Sequence, residues 1–135
     1  MRIPVGQREV AHMVAMQPIV RDLSEISHRD WILQIEGLVQ NPLKLTYEDL
    51  LLLPKSEPTY DIHCVTSWTK LDQQFSGVDF GLILEMVQPL AEAKHVIFES
   101  VADAYSTNVV LAELQAYPSL LAYEIEGAPI ELRYG

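Results

Sequence analysis

The segment from Asp61 to Trp68, with the sequence DIHCVTSW, concentrates side chains that can do chemistry. It contains Cys64, the one cysteine of the chain, beside a histidine and close to a threonine, a serine and a tryptophan. A thiol in this setting has three interpretations: a small buried apolar residue, a nucleophile activated by a base, or a thiolate ligand of a soft metal. Free cysteine is among the most buried residue types, so the residues alone favour the structural interpretation and leave the other two open.

A Cys–His dyad is the first nucleophilic arrangement that this segment suggests. Residues 59–68 alternate with a period of two, which predicts one strand running through the segment to its tryptophan. Successive strand residues face opposite sides, so His63 would point away from Cys64. A base for the thiol would then have to come from His12, His28 or His95.

Other kinds of site have less support in the sequence. The four histidines lack the close spacing of a zinc site, and one cysteine can form neither an internal disulfide nor a four-cysteine zinc site. The six glycines are dispersed and form neither GxGxxG nor GxxxxGK, so no phosphate-binding loop is predicted. A metal at Cys64 would therefore need most of its ligands from elsewhere.

The elements that must position these residues can be predicted from periodicity and caps. Strands are predicted in 31–39, 59–68, 95–100 and 105–111, with a hairpin in 120–135. Helices are predicted in 45–54, where Thr46 is the N-cap, in 78–89 and in 111–118. Residues 1–29 lack a clean period and are interpreted as an extended N-terminal arm. Short helices among hairpin-like strands predict an α+β fold with mixed β-sheets.

Length and charge limit the classes of function. A chain of 135 residues suits one domain, so a single domain over 1–135 is expected. The net charge of −10, with only nine Lys and Arg, argues against a nucleic-acid partner. No apolar run reaches the roughly 18 residues of a membrane span. The first residues lack a signal peptide, which predicts a cytoplasmic protein, or a periplasmic one if a leader has been removed.

Read in order, the segments resemble the molybdenum-cofactor-binding domain of the sulfite oxidase family, above all its small prokaryotic single-domain members. RIPVGQ resembles the family's opening arm, and GLVQNPLKLTYEDLLLLP resembles its G-x-V-x-x-P-x-x-L-x-x-x-D-L-x-x-L-P. HCVTSW matches the signature HCVTxW. Further along, AKHVIFES, DAYSTNVVL and LLAYEIEGAPI resemble later family segments in the same order. The resemblance spans nearly the whole chain.

The resemblance implies a role for Cys64 as the thiolate that binds molybdenum, with the remaining sulfurs supplied by the dithiolene of a pterin. It implies that Tyr105 is a catalytic residue that contacts the substrate. The resemblance also implies a set of cofactor-binding residues around the pocket and in the arm: Arg2, Gln7, His63, Cys64, Thr66, Trp68, Ser100, Ser106 and Thr107.

Two departures from the family pattern accompany these matches. Ala104 stands where the family commonly has glycine, and the chain stops at Arg133-Tyr134-Gly135, before the family's arginine- and lysine-bearing tail. The C-terminal part of the family domain is therefore expected to be missing, and with it much of the cationic grip on the pterin phosphate.

The resemblance implies a molybdenum–molybdopterin-dependent oxidoreductase that transfers an oxygen atom on a small sulfite-like or S-oxide substrate. Its electrons would pass through a separate carrier. The alternative is a cofactor-free, truncated member of the family that acts as a non-catalytic binding module. The sequence indicates neither the oligomeric state nor the physiological substrate.

Overall fold

The computed structural model describes residues 2–15, 27, 31–100, 105–131 and 134. The chain divides into two compact units. Unit 1 comprises Met1–Pro18, Ser56–Gly77 and Ala122–Gly135, and unit 2 comprises Ile19–Lys55 and Val78–Leu121. The predicted arm, 1–29, is described only in part, and of the residues singled out in the sequence His28, Ala104 and Arg133 lie outside the described ranges.

The strand residues of unit 1 belong to a sheet in which several strands pair with one long strand. The strands of this sheet are β1 (Arg8–Glu9), β4 (Lys55–Ser56), β5 (Thr59–Cys64), β6 (Trp68–Asp79), β9 (Leu120–Ile125) and β10 (Ala128–Pro129). The sheet order is β1-β6-β9-β10, and β4 and β5 also pair with β6. β1 is parallel to β6, with Arg8 opposite Trp68, which places the N-terminal arm beside the start of that strand.

The strands β9 and β10 form the hairpin predicted near the C-terminus. Its turn is Glu126-Gly127, where φ is 52° and 77°. Two successive left-handed residues are typical of the tight turn that joins two-residue hairpins, and glycine adopts such a φ without a steric cost. The sequence predicts a four-residue connection of this hairpin, Glu126-Gly127-Ala128-Pro129, but Ala128 and Pro129 already belong to β10.

Two corrections concern the neighbourhood of Cys64. The strand predicted over 59–68 is wrong beyond Cys64, because residues 65–67 form a turn in which Ser67 takes a φ of 69°. No glycine or proline marks this turn in the sequence, since serine supplies the left-handed residue. The sequence also did not predict the 12-residue strand β6, whose apolar and polar residues do not alternate cleanly.

Unit 2 contains the three helices of the described chain, and the predicted Thr46 cap explains where the first of them begins. In α1 (Tyr47–Leu51) the side chain of Thr46 accepts a hydrogen bond from Asp49 N, and Asp49 bonds back to Thr46 N. This reciprocal capping box satisfies two donors that the first turn leaves open. The helix α2 (Phe80–Val87) begins after Asp79, whose carboxylate accepts from Gly81 N at 2.7 Å. The third helix, α3, is Leu111–Ala116.

Two antiparallel hairpins complete unit 2. The strands β2 (Ile32–Ile35) and β3 (Leu43–Thr46) form one, and β7 (His95–Glu99) and β8 (Ser106–Val110) form the other. Phe98 of β7 packs against Phe80 of α2, with ring centroids 5.8 Å apart. The buried apolar side chains of unit 2 are Leu50, Val78, Phe80, Ile83, Val87 and Leu111.

Short helices interspersed among paired strands are what the α+β prediction describes. In the described part of the chain, no helix is long and apolar enough to cross a membrane.

Candidate functional site

Cys64 is the last residue of β5 and lies directly opposite Trp68, the first residue of β6. A three-residue turn joins the two strands, and Ser67 N donates to the Cys64 carbonyl oxygen at 3.1 Å. Residues that face each other across antiparallel strands project to the same side of the sheet. The hairpin therefore places the Cys64 thiol and the Trp68 indole on one face.

The surroundings of the Cys64 sulfur favour its ionised form. Thr66 Oγ1 lies 3.1 Å from Cys64 Sγ and can donate its hydroxyl proton to a thiolate. This hydrogen bond is the main cause that holds the pKa of the Cys64 thiol below its ordinary value, and the backbone N–H groups of Thr66 and Val65 act in the same direction. Donors that converge on a sulfur stabilise the anion, which is the form that binds a soft metal.

His63 does not form a dyad with Cys64. It faces Thr69 across the hairpin, and its Nδ1 lies 2.9 Å from Thr69 Oγ1. The alternation of strand side chains sends His63 and Cys64 to opposite faces, as the sequence predicted. Among the described residues, the thiol therefore has Thr66 as its hydrogen-bonding neighbour, and not the imidazole of His63.

Gln7 connects the N-terminal arm to the Cys64 turn. Its Nε2 donates to the Cys64 carbonyl oxygen at 3.3 Å, and its Oε1 accepts from the hydroxyl of Thr69. The backbone of the arm continues this attachment, because Arg8 N donates to Ser67 O at 3.1 Å. Gln7 was predicted to bind the cofactor; the structure shows its amide holding the backbone of the residue predicted to bind the metal.

Arg2 anchors the start of the same arm through two carboxylates. Its guanidinium donates to Asp61 at 3.0 and 2.6 Å and to Asp72 at 3.3 and 2.6 Å. The hydrogen bonds with Asp61, and then those with Asp72, raise the pKa of Arg2. The hydrogen bonds that Asp61 accepts from Arg2 and from Asp72 N lower the pKa of Asp61 to about 2. A direct role of Arg2 toward the pterin stays a prediction.

Trp68 carries a buried hydrogen-bond donor in unit 1, its indole N–H. Its side chain is 5% exposed, and Nε1 has no hydrogen-bond acceptor among the described residues. A buried donor that makes no hydrogen bond costs about 1–3 kcal/mol of stability, so such a group in a native fold calls for an explanation. An indole N–H on the face that carries Cys64 suits a site whose ligand brings hydrogen-bond acceptors.

The other predicted residues lie in unit 2, at the end of the β7–β8 hairpin where the chain passes from one strand to the other. Ser100 N donates to the Tyr105 carbonyl oxygen at 2.8 Å, and Tyr105 N donates to Ser100 Oγ at 3.0 Å. The two residues therefore brace the base of the loop between them. Ser106 and Thr107 are neighbours in β8, so their side chains project to opposite faces of the hairpin. Cofactor binding by this group stays a prediction.

The sequence did not single out three residues that organise the Cys64 hairpin. Thr69 is fully buried and touches both His63 and Gln7, while Asp61 and Asp72 hold Arg2. These contacts join residues as far as 70 positions apart. No periodicity or short motif encodes them, and only strand register brings them together.

The protein offers one thiolate donor at this site. Within the described ranges, no three His, Cys, Asp or Glu side chains are placed to hold a metal ion. The stabilised thiolate of Cys64 fits a molybdenum–pterin group, which brings its own sulfur ligands. So does the indole N–H of Trp68, which has no acceptor among the described residues, because such a group also brings hydrogen-bond acceptors.

Comparison with known proteins bears on this site. The model of the oxidoreductase molybdopterin binding domain matches residues 20–135. Among curated proteins, the chain is 39% identical over 105 residues to the uncharacterized oxidoreductase YuiH of Bacillus subtilis, covering 78% of this chain and 52% of that protein. It is 33% identical over 75 residues to the catalytic subunit of the protein-methionine-sulfoxide reductase MsrP of Campylobacter jejuni, covering 56% and 25%.

Among solved structures, the chain is similar to the sulfane dehydrogenase SoxCD from Paracoccus pantotrophus, with a TM-score of 0.70 and 21% identity. The likeness covers 92% of this chain and 38% of that one. It confirms the predicted sulfite-oxidase-like fold with mixed sheets and short helices. The chain spans about half or less of the length of these proteins.

Proposed function

The chain belongs to the oxidoreductase molybdopterin binding domain family, and we propose that it holds a molybdenum–molybdopterin cofactor through Cys64 and catalyses oxygen-atom transfer on a small sulfur compound. The resemblance found in the sequence is thereby confirmed for the family and for the cofactor that the family binds. The observation that carries the proposal is the environment of Cys64, where the Thr66 hydroxyl and two backbone amides favour a thiolate. The bound cofactor would supply the two-electron redox chemistry.

Residues of the Cys64 hairpin and of the N-terminal arm then have distinct roles in holding the cofactor. Cys64 would bind the metal as a thiolate, and Thr66 would keep that sulfur deprotonated. Trp68 would donate its indole N–H to an acceptor of the bound group. Gln7 would hold the backbone of the ligand residue, since its Nε2 reaches the Cys64 carbonyl oxygen. Tyr105 stays the proposed substrate contact.

We propose an S-oxide as the substrate class. Relatives from Campylobacter jejuni and Gluconobacter oxydans, 33% and 36% identical over their matched residues, are named as catalytic subunits of protein-methionine-sulfoxide reductases. Reduction of a sulfoxide breaks the S–O bond, consumes two electrons and two protons, and yields a thioether and water. The electrons would arrive from a separate carrier protein.

Metal analysis of protein purified from a host that makes the pterin cofactor tests the proposal. We expect molybdenum close to one atom per chain, and loss of that molybdenum in Cys64→Ser with the fold retained by circular dichroism. A well-folded wild-type protein without molybdenum would contradict the proposal and favour the cofactor-free binding module. For the substrate class, loaded protein supplied with a reduced dye should reduce a sulfoxide, and oxidation of sulfite in its place would contradict the S-oxide assignment.

The domain extent and the location in the cell also stay proposals. We propose that residues 1–135 act as one molybdopterin-binding domain. We propose a cytoplasmic location, or a periplasmic one if a leader is removed.

A further inference from the structure

Thr69 is a fully buried hydroxyl residue whose side chain joins the Cys64 hairpin to the N-terminal arm. Its exposed fraction is 0%. Its Oγ1 lies 2.9 Å from His63 Nδ1 and donates to Gln7 Oε1. A hydroxyl has one proton to donate and two lone pairs that accept, so two neighbours can share it only in complementary roles.

The direction of these hydrogen bonds is set at the Cys64 backbone. A carbonyl oxygen can only accept, so the Gln7 side chain must turn its NH₂ group toward Cys64 O, at 3.3 Å. That orientation leaves Gln7 Oε1, which also can only accept, facing Thr69. The single hydroxyl proton of Thr69 is therefore used in the bond to Gln7.

The consequence reaches the imidazole of His63. Because the proton of Thr69 is already given to Gln7, Thr69 Oγ1 can meet His63 Nδ1 only as an acceptor. A neutral imidazole carries its proton on one nitrogen only, so a ring that donates from Nδ1 presents a lone pair at Nε2.

We infer that Thr69 is a positioning residue that fixes neutral His63 in the Nδ1–H form, so that the exposed His63 ring offers Nε2 as an acceptor on the face of the hairpin opposite to Cys64. A chain of hydrogen bonds links this tautomer to the cysteine backbone: it runs from Cys64 O through Gln7 and Thr69 to His63. An effect of Thr69 on cofactor binding would act through Gln7 on the Cys64 backbone, and it rests on the proposed function. The tautomer of His63 is independent of that function.

The imidazole nitrogen shifts of ¹⁵N-histidine-labelled protein without cofactor test the inference directly. In alkaline buffer, where imidazole rings are neutral, the wild-type His63 ring should show the pattern of a protonated Nδ1 and a bare Nε2. The signal is assigned by its loss in His63→Gln. Thr69→Ser, which keeps the hydroxyl, should retain the pattern, and Thr69→Val should lose it.

A variant that does not touch His63 separates this role from simple packing. Gln7→Met removes the acceptor of the Thr69 proton, so the hydroxyl is free to donate to His63 Nδ1 and the ring should change to the Nε2–H form. Thr59→Val, at an exposed position of the same strand β5, is the matched control and should leave the ring unchanged. If Thr69→Val does not fold, Gln7→Met decides alone.

Two results would overturn the inference: a wild-type His63 ring in the Nε2–H form, or a ring that stays in the Nδ1–H form in Gln7→Met. The molybdenum content of protein made in the cofactor-producing host then tests the role in binding. It should fall in Thr69→Val and be retained in Thr69→Ser. Wild-type protein without molybdenum would contradict the proposed function, while the nitrogen shifts would still decide the inference about Thr69.

Discussion

Arg2 and Asp61 are joined by two hydrogen bonds, from Nε to Oδ2 at 3.0 Å and from Nη2 to Oδ1 at 2.6 Å. This is the side-by-side geometry in which a guanidinium and a carboxylate fit one another best. Asp61 precedes Cys64 by three residues in β5, so the pair attaches the first described residue of the arm to the strand that carries the predicted metal ligand. Gln7 and Arg8 continue that attachment to the turn.

Asp61→Asn should loosen the arm without unfolding the protein. The asparagine side chain is neutral and has one acceptor oxygen, so it cannot accept both charge-assisted hydrogen bonds from the Arg2 guanidinium. The hydrogen bond from Asp72 N to Oδ1 of residue 61 is weakened as well. We expect faster hydrogen exchange at Arg8 N and Val10 N, which donate to Ser67 O and Thr69 O. Glu92→Gln, at an exposed position, is the control; equal exchange in the two variants would show that the ion pair does not hold the arm.

Acidification should loosen the N-terminal arm in the same way as Asp61→Asn. The pKa of Asp61 is lowered from 3.8 to about 2 by the hydrogen bonds from Arg2 and Asp72 N. A carboxyl whose pKa is depressed by folding contributes stability above its unfolded pKa, and this contribution is lost as the pH falls through the folded pKa. Attachment of the arm should therefore weaken between about pH 4 and pH 2. Proteolysis by an acid-active protease can follow the release of the arm, and Asp61→Asn should reduce the pH dependence in this window.

Thr66→Val should raise the pKa of the Cys64 thiol. The Thr66 hydroxyl, 3.1 Å from Sγ, is the main cause of the lowered pKa, and valine keeps the size of the side chain while it removes the donor. The pH at which Cys64 reacts half-maximally with an alkylating reagent should move upward. Thr66→Ser retains the donor and should leave the profile near that of the wild type, and an unmoved profile in Thr66→Val would assign the stabilisation to the backbone amides.

Trp68→Phe should separate cofactor binding from folding. The smaller phenylalanine ring loses some packing, which lowers stability. It also removes an indole N–H that has no acceptor among the described residues, and a buried donor without an acceptor costs about 1–3 kcal/mol. We expect the free energy of unfolding without cofactor to change by about 1 kcal/mol or less, because these effects oppose each other. The molybdenum content should fall.

The second tryptophan supplies the control for this experiment. Trp31 lies in unit 2 and packs edge-on against Tyr47, with ring centroids 6.1 Å apart. Trp31→Phe should therefore leave the molybdenum content unchanged. A loss of metal in both variants would point to general destabilisation and not to the indole N–H of Trp68.

The cap of α1 was readable in the sequence because it is local: Thr46 and Asp49 satisfy each other within one helical turn. The cap of α2 by Asp79 is equally local, but the predicted helix began one residue before it, at Val78. In β2, Leu33 and Ile35 lie on the more buried side, as the period-two alternation of a strand requires. Such features depend on residues that are close in the chain, so tertiary context had little to change.

The sequence by itself determined the family, through ordered motifs that extend from the arm to the last hairpin, and it identified Cys64 as the residue to follow. It did not determine the surroundings of that thiol. The turn after Cys64 depends on a serine at positive φ, and the relay from Cys64 O to His63 runs through Gln7 and Thr69, which lie 62 positions apart. Only the pairing of β1 and β5 with β6 brings those groups together, because hydrogen-bond partners across strands are chosen by register and not by nearness in the chain.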